Sequence, residues 1–468
     1  MKSLAKLIIL VIMVNFAYAQ HEPHHKDTTE YHSIKDALKS GTLKLHGRNF
    51  FMTTLNQGGL TDYYANGAGA GMHYRSGSWK GFHLEFGGFF IFNLFSSDLS
   101  KQDRLSNQYN RYELELFDIE NPKNREDLDR LEELSLSYEH KWLFINAGRL
   151  ELNTPYINPQ DGRMRPTVEE GIWFEMKPTK KLQFNAGFLN DISPRSTVKF
   201  YTIGNSIGVY AQGVQTNGEK ADYAEHQHTK GIGLAQVFYK PNEKLTMQVF
   251  NLYVDNIFNT SLIQADYIPE NDISPVFGLQ YHIQHRLNQG GNQNQEHAYY
   301  QNQKKAQVVS TRAGLKVKKH LITANYTHIT DDGRFLMPRE WGRDAFYTFM
   351  PRERNEGFGN VHAFSMQYVS NWQNKKLATG LGYGYYNLPD VTNYRLNKYG
   401  MPSYHQINAD IRYNFGGNLE GLQAQLLVAA KLNAGKTYGQ YNYIFNKVNM
   451  ANFNFVLNYT IHTTKNNH

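Results

Sequence analysis

Short segments with strict alternation of apolar and polar residues constrain the fold of this chain more than any other feature. In the stretch QINADIRYNF, Gln406–Phe415, apolar side chains occupy every second position from Ile407 onward. A period of two places the two kinds of side chain on opposite faces of a β-strand. A length of about ten residues is that of a strand that crosses a lipid bilayer. Because the pattern recurs along the chain, the sequence predicts an all-β fold.

About eighteen such segments can be recognised, and the connections between them alternate between short turns and long polar insertions. Their predicted starts are near Thr42, Gly67, Phe82, Glu133, Trp142, Gly171, Leu182, Gly231, Leu245, Ser261, Val276, Gln307, His320, Val361, Leu377, Gln406, Leu422 and Phe453. Alternating connection lengths are typical of a transmembrane antiparallel β-barrel with short periplasmic turns and long extracellular loops. The sequence predicts such a barrel over residues 42–462, with sixteen rather than eighteen strands as the alternative count. Strand length and alternating turn length disfavour a secreted two-layer β-protein.

Composition agrees with a membrane barrel and argues against other classes. The mean hydropathy is −0.60, yet aromatic residues reach 14%, as expected when apolar and polar positions interleave. The chain has no cysteine, so disulfides play no part. Its net charge of +7 comes without a compact run of basic residues, so no nucleic-acid partner is expected.

The N-terminus has the pattern of an export signal. Lys2 and Lys6 precede the apolar core Leu7–Val14, and Ala17-Tyr18-Ala19 matches a cleavage site. Residues 1–19 are therefore predicted to be a signal peptide and Gln20 the first mature residue. This favours export to the outer membrane of a Gram-negative bacterium.

A short periplasmic segment, residues 20–41, is predicted before the barrel, and a short tail, residues 463–468, after it. Within the first, SIKDALKSG predicts one short helix, with Ser33 as its N-cap, Asp36 in its first turn and Gly41 as its stop. Its expected position is the periplasmic mouth.

Two long connections carry arginines beside carboxylates and prolines. They are Leu150–Glu170 and Thr330–Asn360, and their candidate functional residues are Asp161, Arg163, Arg165, Glu169, Glu170, Arg339, Arg343, Asp344, Arg352 and Arg354. Prolines limit backbone freedom and paired charges hold a loop in one place. Folded into the lumen, such loops would form a charged constriction. The alternative is an ordinary surface loop with exposed ion pairs, which stabilise little.

Two sets of alternating glycines point to the same lumen. They are Gly67, Gly69 and Gly71, and Gly380, Gly382 and Gly384. If the large residues between them face lipid, each set leaves a bare strip that gives room to an inward-folded loop. The alternative is that the glycines only permit bending.

Enzyme-like motifs carry little weight in this sequence. GNSIG, Gly204–Gly208, matches G-x-S-x-G, but that motif requires a strand before it and a helix after it, and here it lies in a long polar loop. The histidines at positions 21, 24, 25 and 32 precede the barrel and suit only weak adventitious metal binding. We therefore expect no catalytic residues, no cofactor and no metal centre.

Several stretches resemble a known family. GTLKLHGR, Gly41–Arg48, and INAGRLELNTPYINPQDGRMRPTVEEG, Ile145–Gly171, resemble the OprD-type outer-membrane porins, in their Bacteroidetes branch. The R-M-x-P-T-x-x-E-G run from Arg163 is the most specific part. The resemblance implies an 18-stranded monomeric barrel whose third and seventh extracellular loops fold inward, which here are Leu150–Glu170 and Thr330–Asn360.

The resemblance also implies a ladder of basic residues that guides small carboxylates, amino acids or short peptides. Matched by position, its members are Arg149, Arg163 and Arg165, with Arg195, Arg312 and Arg412 as further candidates. Asp161 and Glu170 would hold the ammonium group of a zwitterion. The implied function is passive, charge-selective diffusion through a porin.

The implied partners are outer-membrane lipid and lipopolysaccharide, small anionic or zwitterionic solutes, and the barrel-insertion machinery, for a monomer or loose trimer. Three alternatives remain at this stage. They are a barrel hydrolase, a surface adhesion barrel, and an energised transporter, the last disfavoured because only about twenty residues are left for a plug.

Overall fold

The computed structural model describes residues 30–160, 162–303, 305–372 and 376–463. Its strands are β1 (Thr42–Asn56), β2 (Tyr63–Arg75), β3 (Phe82–Ser96), β4 (Arg130–His140), β5 (Leu143–Leu150), β6 (Val168–Thr179), β7 (Leu182–Ser193), β8 (Tyr201–Thr202), β9 (Ile232–Tyr239), β10 (Leu245–Val254), β11 (Phe258–Tyr267), β12 (Ile273–Arg286), β13 (Ala306–Val317), β14 (His320–Ile329), β15 (Val361–Trp372), β16 (Leu377–Asn387), β17 (Tyr404–Asn414), β18 (Leu422–Asn433) and β19 (Met450–Thr463). The α-helices are α1 (Ile34–Lys39) and α2 (Ile203–Ser206), and 3-10 turns span Leu114–Leu116, Gly417–Leu419 and Tyr441–Tyr443.

Eighteen of these strands form one closed antiparallel wall. Each strand pairs with the next along the chain, except that β7 pairs with β9 while β8 adds only a two-residue bridge to β7. The first and last strands complete the circle, from the pair Leu43–Thr463 to the pair Asn56–Met450. Closure leaves the eighteen described wall strands paired on both sides, so that the wall has no open edge. The predicted 18-stranded barrel is confirmed.

The wall is apolar outside and polar inside. On β17, Ile407 and Ile411 are 51% and 44% exposed, whereas Gln406 and Asn408 are 0% and 6% exposed. This is the reverse of a water-soluble protein, whose apolar residues face inward. The alternation in QINADIRYNF therefore corresponds to a strand whose apolar side chains face outward, as predicted for a membrane barrel. None of the helices among the described residues is long and apolar enough to cross a membrane.

The strand boundaries follow the predicted ones to within a few residues. The strand expected near Gly67 begins at Tyr63, and the last strand continues through Thr463, one residue beyond the predicted end of the barrel. The strict alternation of short and long connections is wrong at one place, because the residues 255–257 between β10 and β11 form a three-residue hairpin. Hairpin pairing needs only two to five linking residues, so nothing forces a loop to be long.

The predicted N-terminal helix is present as α1. The Ser33 side chain accepts a hydrogen bond from the amide of Asp36, and the helix ends at Lys39. The amide of Gly77 donates to the carbonyl of Ala37 over 2.9 Å, which holds the helix against the short turn between β2 and β3. The predicted signal peptide, residues 1–19, lies outside the described residues.

The buried apolar core lies inside the wall, at the end that carries the long loops. The connections at that end are loop 1 (57–62), loop 2 (97–129), loop 3 (151–167), loop 4 (194–231), the short loop 5 (255–257), loop 6 (287–305), loop 7 (330–360), loop 8 (388–403) and loop 9 (434–449). Trp341 and Phe335 of loop 7 pack with Tyr156 of loop 3 and Phe258 of the wall in one cluster. The loops therefore fold into the barrel and narrow it.

Candidate functional site

Loop 7 crosses the lumen and is tied to side chains that point inward from the wall. Tyr347 donates to the carboxylate of Asp266 on β11 over 2.7 Å. Gln406 and Asn408 on β17 both donate to the carbonyl of Pro351, over 2.8 and 2.9 Å. Because buried carbonyls need a partner, these polar wall residues fix the loop in place.

Loop 3 packs directly on loop 7. The amide of Gln160 donates to the carbonyl of Arg339 over 2.9 Å, and Arg354 donates to the side-chain oxygen of Gln160. Asn158 and Arg343 exchange two hydrogen bonds of 3.3 and 3.2 Å. The two loops that the sequence singled out by charge and proline therefore meet inside the barrel.

Glycines in the wall make room for these loops. A Cβ atom on Gly382 or Gly384 would lie 2.6–2.8 Å from the side chain of Met350 in loop 7, and one on Gly67 would lie 2.9 Å from Met164 in loop 3. At these three positions, the prediction of a bare strip under an inward loop is confirmed. Gly69 and Gly71 differ, since their neighbours are wall atoms around Phe89.

Loop 2 supplies the counter-charge that joins loops 3 and 4. Glu115 accepts hydrogen bonds from Arg163 over 2.5 Å and from Arg195 over 3.2 Å. Burial favours the neutral carboxyl, but these two guanidinium groups outweigh it and lower the pKa of Glu115 from 4.5 to about 2. The ionised carboxylate of Glu115 therefore holds loops 2, 3 and 4 together.

A cavity of about 130 Å³ remains between the loops and the wall. Nine arginines, two lysines and only two glutamates line it. These charged residues are Arg48, Arg111, Arg163, Arg195, Arg339, Arg343, Arg352, Arg354, Arg412, Lys431, Lys447, Glu115 and Glu353. Such a lining attracts anions, and guanidinium groups match the two oxygens of a carboxylate.

The two glutamates offset little of this positive charge. The charge of Glu115 is already shared between Arg163 and Arg195. Burial, with Asp344 nearby, raises the pKa of Glu353 well above 4.5, more than the nearby Lys431 lowers it, and so favours the uncharged form of this carboxyl. Two further carboxylates, Glu356 and Asp410, pair with Arg339 and Arg412. Basic side chains still outnumber acidic ones, so the cavity lining is cationic.

Six of the predicted residues lie on this cavity. They are Arg163, Arg339, Arg343, Arg352, Arg354 and Arg412. Arg352 reaches the wall, where it donates to the side-chain oxygens of Asn452 and Asn454 over 2.9 and 2.5 Å. Arg339 pairs with Glu356 and stacks on Tyr399, with its Cζ atom 3.7 Å from the ring centroid.

The other predicted residues lie elsewhere. Arg149 pairs with Glu170 over 3.0 Å and lies over the ring of Phe200. Buried Arg165 donates to the carbonyl of Leu128, buried Glu169 accepts from the amide of Leu152, and buried Asp344 accepts from the amides at positions 355 and 356. The described side chains among these predicted residues do not line the cavity. Asp161 lies outside the described residues.

Besides Arg412 on β17, five cavity cations lie outside loops 3 and 7. They are Arg48, Arg111, Arg195, Lys431 and Lys447, of which Arg195 was named only through the family ladder. Lys431 shares the inward face of β18 with Gln423 and Gln425, so extending the alternation along that strand predicts its position. Lys447 and Arg111 lie in irregular loops, where no periodic signal exists.

The G-x-S-x-G match has a structural role. Ser206 lies on α2, donates to the carbonyl of Ile203 over 2.7 Å and accepts from the indole nitrogen of Trp341 over 2.8 Å. Its hydroxyl is buried and fully engaged, which does not suit a nucleophile.

Comparison with known proteins places this geometry in context. A family model described as "outer membrane porin, OprD family" matches residues 99–376. No match was found among curated protein sequences. Solved structures with the same fold include Acinetobacter baumannii OccAB3, at a TM-score of 0.71 and 14% identity over 91% of this chain and 100% of that one. Pseudomonas aeruginosa OccD3 (TM-score 0.66, 14% identity, 92% and 93% covered) and OpdK with vanillate (TM-score 0.68, 13% identity, 91% and 100% covered) are similar too.

Proposed function

The chain belongs to the OprD family of outer-membrane porins, and on that basis we propose that it is a passive channel selective for small anions, with carboxylates as its main solutes. Membership implies a place in the outer membrane of a Gram-negative bacterium and the diffusion of small solutes. The family and the similar structures are porins rather than enzymes. No reaction is therefore assigned to this chain.

The cationic cavity carries this proposal. Its eleven basic residues outnumber its two glutamates, so the lining attracts anions and repels cations. A carboxylate that enters from the loop end would pass from Arg111 in loop 2 to Arg412 near the other end of β17, exchanging one guanidinium partner for the next. Several weak partners in succession allow release, which a single tight site would prevent.

We propose that the channel prefers carboxylates to zwitterionic amino acids. Of the two residues expected to hold an ammonium group, Glu170 is paired with Arg149 away from the cavity, and Asp161 lies outside the described residues. Amino acids would thus gain a contact at their carboxylate without one at their amine. OpdK, one of the similar structures, was solved with vanillate, so an aromatic carboxylate is a sensible first probe.

The proposal also extends to the assembly of the barrel, its place in the membrane and its oligomeric state. Residues 1–19 would direct export and be removed in the process, and the insertion machinery would place the barrel with lipopolysaccharide around its loop end. The closed wall encloses its own lumen, so a monomer suffices for transport. A loose trimer would leave this function unchanged.

Single-channel recording in a planar lipid bilayer tests the proposal. The expected results are discrete conductance steps, a reversal potential that shows anion preference in a salt gradient, and reduced current when vanillate is added. Vanillamide, which has the same ring without the charge, is the matched control solute. Conductance with cation preference, or equal block by both solutes, would contradict the proposal.

The anion preference is expected to fall as pH rises from about 5 to about 8. Burial, with Arg111 nearby, lowers the pKa of Lys447 from 10.5 to about 7, so this cavity cation loses its charge as pH rises through that value. Burial also raises the pKa of Asp344 to about 6, so a negative charge appears in loop 7 over the same range. Both changes make the lumen less positive.

The pH dependence is measured from reversal potentials at a fixed salt gradient. Lys447→Met is expected to flatten the upper part of the curve, and Asp344→Asn the lower part. An anion preference that rises with pH would show that these groups are not the ones that titrate.

A further inference from the structure

Three metal-ligating side chains from loops 4 and 6 converge away from the cavity. Asp222 and His226 belong to loop 4, and His297 belongs to loop 6. One donor atom from each residue lies within 4.8 Å of the other two. None of the three residues lines the cavity, so the cluster is separate from the cationic site.

We propose that Asp222, His226 and His297 form a binding site for a divalent first-row transition-metal ion, with Zn²⁺ as the reference ion. Two imidazoles and one carboxylate are a donor set that such ions prefer. Metal–ligand bonds of about 2.0–2.2 Å bring donor atoms about 3–4 Å apart, so small side-chain rotations close this site. Three protein ligands leave coordination positions for water.

The two histidines are already oriented toward each other. Their ring centroids are 4.2 Å apart at an angle of 39°. His297 Nδ1 lies 2.9 Å from the carbonyl oxygen of Asp222 and 3.3 Å from its carboxylate. Within the described parts of the chain, neither ring nitrogen of His226 has a hydrogen-bond partner. That imidazole can accept a metal ion without breaking a contact.

A buried amide holds the two loop backbones that present these ligands. Gln227, only 6% exposed, donates to the carbonyls of Tyr223 and His297 over 2.8 and 2.6 Å. Its oxygen accepts from the amide of Tyr299 over 3.0 Å. The backbones of loops 4 and 6 are therefore held together next to the cluster before any ion binds. This lowers the conformational cost of binding a metal ion.

A bound ion would join two loops that β9–β12 separate in sequence. It would add a link that the unfolded chain lacks, and ligands that bind only the folded state raise its stability. The expected consequence is a cross-link at the channel mouth that leaves the charge lining of the cavity unchanged.

The test uses the full-length, tag-free protein in detergent, titrated with ZnCl₂ by isothermal calorimetry and followed by thermal unfolding. One equivalent is expected to bind and to raise the unfolding temperature. His226→Ala with His297→Ala should remove this binding, and Asp222→Asn should weaken it about tenfold or more. His228→Ala is the matched control, because His228 is an exposed loop 4 histidine outside the cluster.

Two outcomes would overturn the proposal. The first is equal Zn²⁺ affinity and stoichiometry in the wild type and in the double variant, which would assign the binding to other residues, such as the N-terminal histidines. The second is an anomalous-scattering peak at a different position in crystals soaked with Zn²⁺. Unchanged metal-free conductance of the double variant verifies its fold, and neither result depends on whether the channel prefers anions.

Discussion

Replacing Glu115 by glutamine is expected to lower the free energy of unfolding by about 3–5 kcal/mol. The substitution keeps the shape of the side chain but removes the carboxylate that Arg163 and Arg195 share. Arg163 is only 3% exposed and Glu115 only 13% exposed, so water cannot replace the lost charge. We expect a lower unfolding temperature and larger current fluctuations, because loops 2, 3 and 4 lose their common anchor.

Acid should act in the same way as this substitution. The pKa of Glu115 in the folded protein is about 2, below its ordinary value of 4.5. A lowered carboxyl pKa contributes stability that is complete above about pH 4.5 and is lost as pH falls toward 2. The wild type should lose this contribution over that range, whereas Glu115→Gln should show a weaker dependence on acid.

Glu120→Gln is the matched control for this prediction. Glu120 lies five positions further along loop 2 and pairs with Lys199 over 2.8 Å, but both side chains are well exposed. Exposed pairs of this kind contribute about 0–1 kcal/mol. Equal unfolding temperatures for the two variants would mean that the buried glutamate is not an anchor.

The second large effect is expected from Arg111→Gln combined with Arg412→Gln. Both side chains line the cavity. Arg111 lies over the ring of Tyr112, and Arg412 pairs with Asp410 over 3.0 Å. A unit charge at about 8 Å contributes about 0.5 kcal/mol in a water-like medium, so two charges change anion occupancy about fivefold. The anion-to-cation permeability ratio in low salt should fall by at least that factor, since cation entry rises at the same time.

Arg149→Gln provides the control for this measurement. It removes one arginine charge from the same barrel, but its side chain lies against Phe200 and Glu170 outside the cavity. Its permeability ratio should stay near that of the wild type. A fall as large as that of the double variant would show that selectivity arises from the total charge of the protein rather than from the lining. High salt should diminish all of these differences.

The wall was predictable from the sequence because a strand imposes a period of two. QINADIRYNF gave both the strand and its outward face, and the helix before the barrel followed from Ser33, Asp36 and Gly41. The three-residue loop 5 was not predictable, since a hairpin of any length satisfies the same pairing. The strand count was predictable to within one pair, because both counts would close a barrel.

The interior was only partly predictable. Loops 3 and 7 stand out by arginine and proline, yet Glu115 lies 48 residues from Arg163 and 80 from Arg195, in a loop with no distinctive pattern. Arg165 and Arg163 look equivalent in sequence, but only Arg163 turns toward the cavity. Which face a loop residue presents is decided by tertiary contacts and not by a repeat.

The pairing of β1 with β19, which closes the barrel, can form only after both strands have been synthesised. Thr42 and its neighbours emerge early during synthesis, but their hydrogen-bonding partners, residues 450–463, are made last. Until the final strand arrives, one edge of the sheet stays open and prone to aggregation. Contacts this distant in sequence also make folding slow. The wall therefore cannot close before residues 450–463 have been made and have paired with β1.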